Sequence, residues 1–218
     1  MLEELEQVLG SPLDSQPQVP SPKPLVLVIS GPSGVGKDAV IKRLQEVRKE
    51  VHFVVTVTSR PIRPHEVEGI DYYFVSKAEF MDLIARNELL EHAVVYGDYK
   101  GIPKKQVRDC MLNGQDVLLR LDVQGAATVR KLLGQDAVFI FMVAESEIAL
   151  VKRLVERKTE SFDKLLIRIA TARKELELMS EFDYVVVNAD GQLEQTVSKI
   201  CSIIDAEKAR VHQRCAQL

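Results

Sequence analysis

Between the apolar run Leu25-Val26-Leu27-Val28-Ile29 and the helically spaced Val40, Ile41, Leu44 and Val47 stands Gly31-Pro32-Ser33-Gly34-Val35-Gly36-Lys37. This is the G-x-x-x-x-G-K pattern in the strand-to-helix setting that gives it meaning. Its glycines let successive backbone N–H groups point into one concavity, and the helix that follows adds positive potential for phosphate oxygens. Lys37 supplies a mobile ammonium for the β- and γ-phosphates. A strand apolar on both faces belongs inside a parallel sheet, so this feature commits the chain to an α/β core. A glycine-rich turn with no ligand is the bland alternative, and the intact strand and helix weigh against it.

The same alternation recurs. Val117 to Leu121 leads into a helical Ala126 to Leu133, Ala137 to Met142 into Ser146 to Glu156, and Tyr184 to Val187 into a long C-terminal helix. Strands alternating with helices imply a doubly wound parallel sheet with right-handed crossovers. The stretch from about Val54 to Ile102 breaks the rhythm with short β-like pieces (Tyr72 to Val75, Leu89 to Val95) around one helix. Ser76 and Glu79 make a capping box for that helix. A mixed α+β insertion is therefore expected. Arg157 to Lys164 is polar and charged between two helices, as a lid would be.

Charge and cysteines exclude several classes. The net charge of −3 argues against non-specific nucleic-acid binding, so anionic ligands must meet local clusters of Lys and Arg. Cys110, Cys201 and Cys215 are odd in number and lack Cys-x-x-Cys spacing, which fits a reducing compartment. The histidines, His52, His65, His92 and His212, lie too far apart to suggest zinc. No apolar run approaches the ~20 residues of a membrane span. Met1 to Gln7 is acidic and amphipathic through Leu2, Leu5 and Val8, and the proline-rich Ser11 to Pro24 reads as an extended linker. Neither a transit segment nor a secretory signal is legible there.

Position 38 departs from the phosphate-loop pattern. Asp38 stands where a Ser or Thr hydroxyl normally meets Mg²⁺. A carboxylate can ligate Mg²⁺, and it can equally cap the helix or pair with a nearby base. Both possibilities stay open at this point.

Four motifs in order carry a resemblance to the guanylate kinases, spanning roughly Pro24 to Asp205. Ile29 to Gly34 resembles the family's phosphate loop. Thr58-Ser59-Arg60-Pro61-Ile62-Arg63-Pro64-His65-Glu66 resembles its T-[TS]-R-x-x-R-x-x-E signature. Gly69 to Phe74 matches G-x-D-Y-x-F, and Leu121 to Ala126 matches I-D-x-Q-G-A. The run Gly34 to Val40 also resembles the plant organellar branch, which implies a plastid or mitochondrial setting with a cytoplasmic one as the alternative.

The resemblance implies a P-loop nucleoside monophosphate kinase fold that moves the γ-phosphoryl group of ATP onto GMP with Mg²⁺. It divides the chain into a tail and linker (1–23), a core (24–55 and 103–205), a GMP-binding insertion (56–102), a lid (157–164) and a C-terminal tail (206–218). It assigns ATP to Gly31, Pro32, Ser33, Gly34, Val35, Gly36, Lys37, Asp38 and Asn188; Asp38, a departure from the pattern, is the candidate metal carboxylate on chemical grounds. GMP falls to Thr56, Arg60, Arg63, Glu66, Tyr72, Glu91, Lys100 and Asp122. Catalysis falls to Lys37, Arg60, Arg153, Arg157 and Arg168. These roles suit the chemistry. Arg60 and Arg63 offer two guanidinium forks to one phosphate. The Glu91 carboxylate would accept from guanine N1–H and N2–H₂, while Thr56 donates to O6. Phosphoryl transfer needs alignment and charge neutralisation, so no nucleophile or His base is expected.

Three residues depart from the family pattern. Arg120 stands where an acid is usual, Lys100 replaces a tyrosine, and Ile102 replaces a hydroxyl. Asp38 and Arg120 together suggest a charge-swapped pair beside the nucleotide site. The expected partners are ATP and GMP, without nucleic acid or membrane, and the expected state is a monomer with a homodimer left open. Three rival readings stand beside this one: a protein-binding module that has lost catalysis, a kinase for AMP or UMP, and a signalling GTPase. The intact loop opposes the first, Glu91 the second, and the lack of N-K-x-D the third.

Overall fold

A computed structural model describes residues 1–19, 21–95, 97–156 and 162–216. Its elements in order are α1 (Leu2–Leu9), β1 (Val26–Ser30), α2 (Lys37–Val47), β2 (Val51–Phe53), β3 (Val57–Thr58), β4 (Tyr73–Phe74), α3 (Lys77–Ala85), β5 (Leu89–Val95) and β6 (Asp98–Pro103). Then follow α4 (Lys104–Leu112), β7 (Asp116–Arg120), α5 (Val123–Leu133), β8 (Ala137–Val143), α6 (Glu147–Glu156), α7 (Phe162–Glu177), β9 (Tyr184–Val187) and α8 (Leu193–Lys208).

The strands β2-β7-β1-β8-β9 form one sheet, parallel throughout. The alternation within Leu25 to Ile29 decides what covers it, since successive side chains point to opposite faces. Leu25, Leu27 and Ile29 pack with Ile41 and Leu44 of α2, Leu150 and Leu154 of α6, and Val197, Ile200 and Ile204 of α8. Val26 and Val28 face the other way, with Val107 of α4 and Ala126, Val129 and Leu133 of α5. Both faces are apolar because both are covered.

The insertion has a second sheet, β4-β3-β6-β5, with β3 parallel to β4 and the other pairs antiparallel. Val57, Phe80 and Leu89 fill its own small core. Phe80 is fully buried and stacks on Tyr99 at 5.2 Å, a burial that stabilises by about 2–3 kcal/mol. The capping box at α3 is formed: Ser76 Oγ accepts from Glu79 N, and Glu79 Oε2 accepts from Ser76 N.

Three boundaries differ from expectation. α5 starts at Val123 because Asp122 Oδ1 accepts from Gly125 N at 2.8 Å and caps it. Phe162 to Lys164, expected in the lid, form the first turn of α7. The rest of that segment, including Arg157, lies outside the described residues. At the other end, α8 runs to Lys208 and the chain then returns to the sheet. Arg214 is buried there, bound to Glu207 Oε2 at 2.9 Å and to the Ala137 carbonyl at 2.8 Å, while Tyr184 donates to Glu207 Oε1 at 2.7 Å. The amphipathic helix expected at the N-terminus is present as α1, with Leu2, Leu5, Val8 and Leu9 all exposed.

Candidate functional site

The carboxyl ends of β1 and β7 open into one cleft, the edge where parallel sheets place ligands. Gly31, Ser33, Gly34, Gly36, Lys37 and Asp38 line one side of it. Thr56, Arg63, Tyr72, Glu91 and Lys100 line the other, with Asp122 and Arg168 between. The loop and the insertion therefore face each other across a single space.

On the loop side, Lys37 Nζ donates to the carbonyls of Gly31 at 2.5 Å and Pro32 at 3.0 Å. Its ammonium is folded over its own loop. Burial pushes its pKa down to about 8, against the charges of Glu175 and Asp38 that favour protonation. Gly36, at φ +90°, has room for no side chain, since a Cβ there would lie 2.5 Å from Asn188 Nδ2. Asn188 is buried beneath the loop. It donates to the Val35 carbonyl at 2.8 Å, and Oδ1 accepts from Thr196 Oγ1 at 3.0 Å. Arg153 is held by the Asn188 carbonyl and Glu145, each at 2.9 Å. Arg168 reaches the loop from α7 and donates to Ser33 Oγ at 3.2 Å.

On the insertion side, Glu66 receives Arg60 Nη2 on both oxygens, at 2.7 and 3.0 Å, and the Arg63 N–H at 2.8 Å. Partial burial would raise its carboxyl, but these donors take it below the usual carboxylate range. Glu66 thus acts as the clasp of the arginine loop, and Arg60 lies over the Tyr72 and Phe74 rings at 5.3 and 5.7 Å. Arg63 lines the cleft itself.

Glu91 is 4% exposed, and its carboxyl is pushed up to about 8 by burial and then by the charge of Asp122. Its Oε2 has no hydrogen-bond partner, and neither does Oγ1 of Thr56, which is 3% exposed. Buried polar atoms are nearly always satisfied. Two orphans on the insertion side of the cleft, a carboxylate oxygen and a hydroxyl, mark a place built to meet a polar ligand.

Arg120, singled out as an exception, is brought to Asp38 as the charge-swap idea requires: Nη1 to Oδ1 is 2.5 Å. Sequence reasoning missed two things. It did not foresee that the Arg120 guanidinium lies over the rings of Phe53 and Tyr72, at 5.2 and 4.6 Å. It also passed over Glu175, which lines the cleft with a buried, unpartnered Oε2 and a carboxyl raised by burial and by Asp122. The signal was present, since Arg168, Ala172 and Glu175 fall at i, i+4 and i+7 on one face of a helix.

A larger apolar groove of about 730 Å³ lies behind Glu91, walled by Ile84, Leu89, Leu90, Leu132 and Leu133. It gathers fewer converging polar groups than the cleft, so the chemistry belongs to the cleft.

Comparison with known proteins agrees. The protein family described as guanylate kinase matches residues 22–207. Guanylate kinase 2, chloroplastic/mitochondrial, of Oryza sativa subsp. japonica is 63% identical over 98% of this chain and 75% of its own length. The guanylate kinase of Clostridium tetani is 43% identical over 87% of this chain and 89% of its own. The crystal structure of guanylate kinase from Anaplasma phagocytophilum superposes with a TM-score of 0.74 at 32% identity, covering 88% of this chain and 89% of that one.

Proposed function

We propose, from the premise that this chain belongs to the guanylate kinase family and is a phosphotransferase, that ATP is the donor and Mg²⁺ its companion. The reaction is ATP + GMP to ADP + GDP. The observation that carries this reading is the single cleft, with Lys37 and the amide-lined loop on one wall and Arg63, Tyr72 and Glu91 on the other.

On this reading the triphosphate enters the loop and draws the Lys37 ammonium away from the Gly31 and Pro32 carbonyls. Arg168, already against Ser33, meets its terminal phosphate. The GMP phosphate is received by Arg63, Lys100 and the Tyr72 hydroxyl, with Arg60 oriented behind them by Glu66. Guanine satisfies both orphans at once: N1–H and N2–H₂ donate to Glu91, and Thr56 donates to O6. AMP would set a ring acceptor against that carboxylate and leave it unpaired, a strong basis for rejection.

In the transfer itself, an oxygen of the GMP phosphate bonds to the γ-phosphorus as the bond to the ADP oxygen breaks. Cations around the equatorial oxygens stabilise the spread of negative charge. Asn188 and Arg153 act from behind by holding the loop in shape. Closure of the insertion onto the core keeps water out, so GMP is the acceptor.

Mg²⁺ keeps much of its water shell and takes one or two carboxylates beside substrate phosphates. The residues fit such an ion through one carboxylate: Asp38 stands at the start of α2 and lines the cleft. When bound, the ion would neutralise charge on the phosphates. An organellar compartment is supported by the name of the rice relative alone.

The test is a Mg²⁺-dependent transfer assay with ATP across GMP, AMP, CMP and UMP. Turnover confined to GMP is expected. Equal turnover with AMP would overturn the Glu91 reading, and no ADP formation with any acceptor would favour a protein-binding module.

A further inference from the structure

Arg120 closes β7 at the rim of the cleft, with only 11% of its side chain exposed. Its guanidinium reaches four residues in three parts of the molecule: the loop helix, the insertion and β2. Nη1 binds Asp38 Oδ1 on the first turn of α2 at 2.5 Å, and Nη2 donates to the carbonyl of Asp71 in the insertion at 3.1 Å. Its Cζ lies over the Tyr72 ring, 4.6 Å from the centre, and over that of Phe53 in β2 at 5.2 Å. A planar cation can stack and donate in its own plane at the same time, which an ammonium cannot. Asp38, with 72% of its side chain exposed, is by contrast anchored at the surface of the loop helix.

Resting on the kinase reading above, we infer that Arg120 is a positioning residue that couples the donor half of the cleft to the acceptor half. Through Asp38 it feels the charge and placement of the phosphate-loop helix. Through Tyr72 and the Asp71 carbonyl it sets the wall that meets the acceptor phosphate. A triphosphate arriving beside Asp38 competes for the same guanidinium, and any shift of Arg120 is passed to the Tyr72 ring lying on it. The two substrates are then linked by one side chain. Linkage of this kind is reciprocal: whatever ATP does to GMP affinity, GMP does to ATP affinity.

The experiment is calorimetric titration of GMP into the full chain, with and without a non-hydrolysable ATP analogue and Mg²⁺. Three proteins are compared: unaltered, Arg120→Lys and Asp38→Ser. In the unaltered protein the analogue should change GMP affinity by about fivefold or more, the lower end of typical coupling. Arg120→Lys keeps the charge but loses the stack and the fork, so both GMP affinity and the coupling should fall. Asp38→Ser is a change at an exposed position and keeps Arg120 over Tyr72. Asp38 also serves the donor site, so this variant is titrated at an analogue concentration that saturates it, and the coupling should then fall to within about twofold of none.

Outcomes separate cleanly. If the unaltered protein binds no GMP, the kinase reading fails. If it binds GMP but the analogue has no effect, or if both variants keep the full coupling, Arg120 is structural and the inference is overturned. Should Arg120→Lys not fold, Asp38→Ser decides the matter alone.

Discussion

Gly125, in the first turn of α5, lies so close to Glu91 that a Cβ placed on it would stand 2.8 Å from Oε2 and 3.4 Å from Asp122 Oδ1. The absence of a side chain is what lets the buried carboxylate keep its place.

Gly125→Ala should therefore impair acceptor recognition without loosening the fold. Alanine favours a helix over glycine by about 1 kcal/mol, so the melting temperature should hold. Displacement of Glu91 should raise KM for GMP by roughly tenfold, about 1.4 kcal/mol, with KM for ATP unchanged. Steady-state kinetics on both substrates check it. A rise in both values would place the fault in the fold.

Glu91 should also make the free protein sensitive to pH. Its folded carboxyl titrates at about 8 against an ordinary 4.5. The folded state thus holds a proton that the unfolded chain releases between those values, and this group's contribution to stability falls as pH rises through that window. Below about pH 4.5 both states are protonated and the difference vanishes. Glu91→Gln should remove the slope, so its melting temperature should overtake that of the unaltered protein progressively from pH 5 to pH 8. GMP binding near pH 7 should release up to about one proton, measurable as a dependence of calorimetric heat on buffer.

Asn188→Ala should act on the donor side. It strands the Val35 carbonyl, a loss of about 1–3 kcal/mol for a buried group, while the Thr196 hydroxyl keeps the Val187 and Gln192 carbonyls. KM for ATP should rise while KM for GMP stays put. Chemical denaturation and kinetics together test this, and an unchanged KM for ATP would show that the loop holds its shape without the asparagine.

Arg214→Ala should separate stability from activity. Glu207 has a fully buried side chain and would lose its principal partner, which costs about 3–5 kcal/mol. At roughly 2–4 °C per kcal/mol for a chain of this size, melting should fall by about 10 °C. Since Arg214 lies far from the cleft in the fold, kcat should be unaltered at low temperature.

How far the sequence foretold all this depended on the range of the interactions concerned. The parallel core was legible because Leu25 to Ile29 alternates between two apolar faces, and the α3 start because Ser76 and Glu79 are three residues apart. The cleft was legible through ordered motifs, each of them local. Contacts made over long separations were not. Nothing near Asn188 announces Val35, 153 residues away, nor does Arg214 announce Ala137. Asp122 shows a third case, where the local role and the distant one coexist: it caps α5 and also lines the cleft. Pairing Asp38 with Arg120 across 82 residues succeeded because both were exceptions at neighbouring strand ends.

That pair has a consequence for how such a chain can change. Asp38 and Arg120 stand 82 residues apart in the chain and supply the two charges of one ion pair. Replacing Arg120 alone removes the cation from Asp38, and replacing Asp38 alone removes a counter-charge from a guanidinium that is largely enclosed. A substitution at one position therefore carries a cost that a matched substitution at the other can relieve.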